Sequence, residues 1–273
     1  MRGMRGESGS APPALELPLR IDAAQVIERL EVLAKAHDGG ALAFDGDGTL
    51  WVGDVGEDVF HALLFERGLR AASAEPLKAF AAQYDLETHG TPEEVALRIF
   101  QAYLAEDVPE REVCELMAWC FVGWSRKEIQ LFVARVLEER GLKGRRIPES
   151  NLVLDWARDA GLRCLLISAS PHSVVEVAGG LFGFAQEDIH GIRTDLEDEI
   201  ILPRVIEQST YGPGKARTGR SVLGDAPWLA AFGDSGFDAA MMRESQLGVG
   251  VRPKGTLLAE LGQLPHAVIL LES

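Results

Sequence analysis

Apolar positions along the chain follow two rhythms. Short, mostly apolar runs at Ala41–Phe44, Arg163–Ile167, Leu229–Phe232, Leu247–Val251 and Ala267–Leu271 have the length and the polar borders of buried strands. Between them lie helical stretches near Ala23–Lys35, striped by Val26, Leu30 and Leu33, near Asn151–Ala160 and near Ser173–Ala178. Alternating strands and helices predict an α/β fold with a mainly parallel sheet. From about residue 53 to 150 the strand signal fades. Helices are predicted there over Asp58–Arg67, Ala74–Tyr84, Pro92–Ala105, Glu110–Cys120 and Arg126–Glu139. The expected organisation is a core of residues 21–52 and 151–273, interrupted by a helical unit at 53–150. A hairpin or similar excursion is expected over Ile189–Val205.

Composition narrows the partners. With 273 residues, 47% of them hydrophobic, the chain can build a sizeable core without disulfides. Its net charge of −15 argues against nucleic acid or anionic lipid as the main partner. A bound divalent cation would still allow an anionic small molecule. No apolar run is long enough to cross a bilayer. Cys114, Cys120 and Cys164 lack zinc-ligand spacing and fit a reduced, cytoplasmic compartment. Residues 1–20 carry no signal-peptide apolar core and read as a disordered tail.

Candidate chemistry collects at strand ends, where open α/β sheets gather ligands. Asp45 and Asp47 follow the first apolar run; two close carboxylates repel unless a cation or a shared proton offsets them. A polar turn is the plain alternative. A calcium loop is not, because Leu50 stands where Gly is required and Gly56 where the bidentate Glu belongs. Lys215 sits in Gly212-Pro213-Gly214-Lys215-Ala216. That stretch fails as a phosphate-cradling P-loop, since Ser209 and Ala216 replace its Gly and Ser/Thr, and a lone lysine after a turn is commonly a surface residue. Ser168 and Ser170 follow the second run and could be helix caps; Asp234 and Asp238 follow the third.

Taken in order, Asp-x-Asp-x-Thr, a strand-end Ser, a Lys and Gly-Asp-Ser-x-x-Asp resemble the four signature motifs of the haloacid dehalogenase superfamily. The likeness covers about 30–50 and 151–251. It implies a Rossmann-like core with an inserted helical cap, and a Mg²⁺-dependent phosphomonoester hydrolase. In the implied roles Asp45 is the nucleophile that forms an aspartyl-phosphate, and Asp47 is the general acid and base. Thr49, Ser168 and Lys215 hold the phosphate. Asp45, Asp234 and the main-chain carbonyl of Asp47 bind the metal, with Asp238 supporting Lys215 or the metal shell. Dehalogenases of the superfamily lack the acid/base Asp, so Asp47 disfavours dehalogenation.

Within the superfamily the chain is most similar to the phosphoserine phosphatase branch. That likeness implies that Asp54 contacts a substrate amine and Arg98 a substrate carboxylate, although Phe237 stands where that branch usually has Asn. Trp51, Trp119 and Trp124 allow another substrate, because aromatic rings can cage a quaternary amine such as phosphocholine. Either way the partner is a small phosphorylated metabolite. A phosphotransferase would use the same residues, and a non-catalytic binding protein is disfavoured by the presence of Asp45, Asp47, Lys215 and Asp234.

Overall fold

The computed structural model describes residues 18–206, 209–264 and 266–273. The expected tail therefore lies outside the described residues up to position 17, and its last two residues open a strand instead. Strand β1 (Leu19–Ile21) leads to helix α1 (Ala23–His37) and strand β2 (Ala41–Phe44). Five helices follow: α2 (Val55–Phe65), α3 (Ala74–Gln83), α4 (Pro92–Leu104), α5 (Glu110–Trp119) and α6 (Arg126–Glu139). Helix α7 (Pro148–Asp159) then returns to the sheet and feeds β3 (Arg163–Pro171), α8 (His172–Leu181) and β4 (Ile189–Ile192). A hairpin, β5 (Thr194–Glu197) and β6 (Ile200–Val205), precedes α9 (Pro213–Leu223), β7 (Trp228–Gly233), α10 (Ala239–Glu244), β8 (Leu247–Val251), α11 (Gly255–Leu261) and β9 (Ala267–Leu270).

Local chemistry explains many of these boundaries. Helices α1, α4 and α6 each begin with a reciprocal capping box: Asp22 with Gln25, Thr91 with Glu94, Ser125 with Glu128. Helix α2 starts at Val55, three residues earlier than expected, because the Asp54 carboxylate accepts the Glu57 N–H at 2.8 Å. Strands β2, β7 and β8 are buried along their whole length, as parallel strands covered on both faces must be.

The seven-stranded sheet has the order β1-β9-β8-β7-β2-β3-β4, and every pair in it is parallel. The chain moves from β2 outward to β3 and β4, then reverses to β7 on the other side of β2. That switch point opens a crevice at the carboxyl ends of β2, β3 and β7. Alternation along β2 divides the core: Leu42 and Phe44 join the apolar cluster that continues into the inserted helices, and Ala41 and Ala43 join a cluster with Leu223, Met241 and Leu257.

Three details differ from the sequence reading. The Ile189–Val205 excursion divides, with β4 adding an edge strand to the main sheet and only β5–β6 forming the hairpin. Strand β3 runs on to Pro171, past the expected end at Ile167. Residues from Pro213 form a helix rather than a turn with a surface lysine. The insertion leaves and rejoins the core side by side, since the Val52 N–H donates to the Arg145 carbonyl at 2.8 Å and the Ile147 N–H to that of Leu50 at 3.0 Å.

Candidate active site

Strand register brings the acidic groups together. Phe44 of β2 lies opposite Phe232 of β7, their rings stacked 4.4 Å apart, so the residues that follow each strand share the crevice. The Asp45 N–H extends this pairing by donating to the Phe232 carbonyl at 2.9 Å. Carboxylate oxygens of Asp45, Asp234 and Asp238 lie within 4.8 Å of one another. Gly48, at φ +76°, turns the loop after β2 so closely against Asp234 that a Cβ would collide with its carboxylate.

Lys215 enters from the first turn of α9. Gly214 allows this, because a side chain there would strike the Ser209 carbonyl. The Lys215 ammonium is 2.5 Å from Asp45 Oδ1 and 2.6 Å from Asp238 Oδ1, and the residue is only 2% exposed. Burial pulls its pKa down, but the carboxylates of Asp238 and Asp45 outweigh that and hold it above the ordinary lysine value. Asp238 Oδ2 accepts the N–H groups of Asp234 and Ser235, both at 3.0 Å, which fixes the carboxylate that orients Lys215. Thr49 Oγ1 donates to Asp45 Oδ2 at 3.5 Å, and Ser150 and Asn151 of α7 donate to the carbonyls of Thr49 and Leu50.

Asp47 turns the other way. Its Oδ1 accepts Trp51 Nε1 at 2.7 Å and the Val55 N–H at 2.8 Å, while Oδ2 accepts Ser170 Oγ at 2.7 Å. Burial raises its pKa, and these donors oppose the rise. The Ser168 hydroxyl accepts the Ser170 N–H at 3.0 Å, and Thr210 donates to the Ser168 carbonyl. Asp45 and Asp234 are also pushed upward, chiefly by burial; Lys215 opposes the rise at Asp45, and a hydrogen bond from Lys254 opposes it at Asp234.

The donor set suits a hard divalent cation. Three clustered carboxylates (Asp45, Asp234 and Asp238) face two ammonium groups, Lys215 and Lys254, and all the donors are oxygen. Lys254 Nζ lies 2.8 Å from Asp234 Oδ2, and its side chain is 67% exposed.

Asp45, Asp47, Thr49, Ser168, Lys215, Asp234 and Asp238 thus converge. Asp54 caps α2 and lines the adjoining cavity. Arg98 does not join them: its guanidinium donates to the carbonyls of Glu87 and His89, within the inserted unit. Nor do the three tryptophans form a cage. Trp51 is buried against Phe182, Trp119 lies beside Phe80, and Trp124 donates to the Gly68 carbonyl beneath Arg70. Sequence reasoning passed over Lys254 and assigned no catalytic task to Ser170. Lys254 follows β8, where the strand-end rule applied to every strand would have flagged it, and Ser170 lies at the carboxyl end of β3 itself.

A family model for haloacid dehalogenase-like hydrolases matches residues 42–243. Among the curated proteins compared with it, none matches this chain in sequence. A Bordetella pertussis Tohama I protein of unknown function shares the fold with a TM-score of 0.66 and 17% identity, over 86% of this chain and all of that one. Cytosolic 5'-nucleotidase IIIB bound to cytidine gives 0.55 and 11%, over 92% of this chain and 86% of that one. A substrate-bound phosphoserine phosphatase gives 0.50 and 12%, over 84% and 92%. At these identities the likeness is one of fold.

Proposed function

The chain belongs to the haloacid dehalogenase-like hydrolases, and from that premise we propose that it hydrolyses phosphomonoesters of a small metabolite through the carboxylate of Asp45. The observation that carries this reading is Asp47. An alkoxide leaving group needs a proton and a departing halide does not, so a half-buried carboxyl group with a raised pKa, two residues from the nucleophile, serves ester cleavage.

In the first step the Asp45 carboxylate attacks phosphorus, the bond from phosphorus to the leaving oxygen breaks, and Asp47 delivers its proton to that oxygen. In the second, Asp47 accepts a proton from water as the water attacks phosphorus, and the bond to Asp45 breaks. Splitting the reaction in this way replaces one difficult displacement with two easier ones. Lys215, fixed by Asp238, keeps positive charge beside Asp45 throughout. Thr49 and Ser168 supply hydroxyl groups for the phosphoryl oxygens. Asp45 and Asp234, with the main-chain carbonyl of Asp47, would hold Mg²⁺. When bound, the ion neutralises charge on the transferring group. The unpaired thiols of Cys114, Cys120 and Cys164 fit a reducing, cytoplasmic setting.

The test is phosphate release from p-nitrophenyl phosphate and small phosphomonoesters, with Mg²⁺ or with chelator, beside Asp45→Asn. Release that needs Mg²⁺ and disappears in the variant is expected. Undiminished release by Asp45→Asn would remove Asp45 from the mechanism.

A further inference from the structure

The oxygens of the clustered carboxylates are not equally open. Lys215 occupies Oδ1 of both Asp45 and Asp238, and Oδ2 of Asp238 accepts two main-chain N–H groups. Asp234 repeats the pattern across the crevice. Its Oδ2 lies 2.8 Å from Lys254 Nζ, and no described residue donates to its Oδ1. Asp45 Oδ2 is approached only by Thr49, at 3.5 Å. Asp45 and Asp234 therefore each have one oxygen held by a lysine and one left open.

Lys254 is fixed in this place although its side chain is largely exposed. Its N–H donates to the Asp234 carbonyl at 2.7 Å, so main chain and side chain grip the same residue. Two positions earlier Arg252 stands at φ +43°, a left-handed backbone that a residue with a Cβ keeps only when its surroundings hold it. The hold is Glu149, fully buried in the first turn of α7, which accepts Arg252 Nε at 2.7 Å and Nη2 at 3.3 Å. A forked pair of this kind fixes geometry more than it adds stability. Ser150 and Asn151, next in that turn, hold the carbonyls of Thr49 and Leu50. One turn of α7 thus braces the loops on both sides of the crevice.

We propose that Lys254 is a specificity-determining residue for the cation: by holding one oxygen of Asp234 it limits that carboxylate to a single metal bond, favouring Mg²⁺ over Ca²⁺. The inference rests on the reading above that Asp45 and Asp234 hold Mg²⁺. Mg²⁺ takes about six ligands at roughly 2.0–2.1 Å in a strict octahedron and keeps several waters. Ca²⁺ takes roughly six to eight at about 2.3–2.6 Å and accepts carboxylates through both oxygens. Two carboxylates restricted to one oxygen each suit the first ion and deprive the second of ligands. Lys215 does the same for Asp45 but is buried between two carboxylates, whereas Lys254 stands at the rim and can be replaced cleanly.

The experiment is calorimetric titration of Mg²⁺ and of Ca²⁺ into wild type and Lys254→Met, without substrate. Removing the ammonium lifts the same repulsion from two ions of equal charge, so that effect cancels in the ratio of their dissociation constants. Relative to Mg²⁺, Ca²⁺ should gain about tenfold or more in the variant, the scale on which outer partners of a metal ligand act. Ca²⁺ that gains nothing on Mg²⁺ would overturn the inference, whatever the two affinities do separately. Turnover of p-nitrophenyl phosphate reports the phosphatase reading independently. Turnover by wild type with an unmoved ratio removes the selectivity role and leaves that reading; a moved ratio without turnover keeps the role and removes the reading. Wild type that binds neither ion would take down the inference together with the metal site.

Discussion

Replacing Lys215 with methionine isolates the electrostatic arrangement at the centre of the site. Methionine keeps much of the volume and removes the charge. The ammonium lies 2.5 Å from Asp45 and 2.6 Å from Asp238 with a side chain 3% exposed, so its loss strands two carboxylates in a dry setting. Removing one partner of a buried pair costs about 3–5 kcal/mol, a large share of a total stability of roughly 5–15 kcal/mol. With an m-value near 2–3 kcal/mol/M, the urea midpoint should fall by about 1–2 M. The penalty also depends on pH. In Lys215→Met the stranded Asp45 carboxylate, already pushed upward by burial, binds its proton more tightly in the folded chain than in the unfolded one, so stability falls as pH rises above the unfolded carboxylate range. The deficit relative to wild type is therefore greatest near pH 8 and shrinks toward pH 5. Urea unfolding in chelator at both pH values measures it, and adding Asp45→Asn to Lys215→Met should recover part of the loss by removing one stranded charge. A variant as stable as wild type at pH 8, or a deficit that grows on acidification, would refute the reasoning.

Ser170→Ala removes a 2.7 Å hydrogen bond to Asp47, raising its pKa further; the alkaline limb of the kcat/KM profile, where Asp47 loses the proton it must deliver, should move up by about one pH unit, and an unmoved limb would exclude Asp47 from proton transfer. His190 is buried with Nε2 lacking a partner among the described residues, and burial lowers its pKa to about 4. The unfolded chain then binds more protons between about pH 6.5 and 4, so the neutral ring's contribution is present above that window and lost as pH falls through it. Wild type should accordingly lose about 2 kcal/mol more than His190→Leu between pH 7 and 5, by denaturant unfolding. Arg98→Ala, which deletes contacts to two loop carbonyls, should lower stability slightly while leaving the phosphoserine to ethyl phosphate selectivity within about twofold; a selective KM rise for phosphoserine would return Arg98 to the substrate.

The chain's local patterns account for the sheet and the reacting groups. Asp45 and Asp234 were legible because each follows a short apolar run, and the end of a buried parallel strand is where a crevice must form. Reciprocal caps such as Thr91 with Glu94 likewise announce helices within a few residues of sequence. Helix α9 was not legible, since Pro213 to Leu223 carries two glycines and, besides Pro213, apolar residues only at Ala216, Val222 and Leu223, which make no helical stripe, and its place is set by packing Gly219 against Trp228. Only the folded chain decided that Lys215 is buried, that Ser170 meets Asp47 across 123 positions, and that Glu57 and Glu110 face inward while Arg98 binds neighbouring loop carbonyls. Sequence spacing defines which residues share a face of a helix. Which face meets the active site depends on how α2, α4 and α5 rotate and pack against one another and against β3, a balance of contacts between segments far apart in the chain.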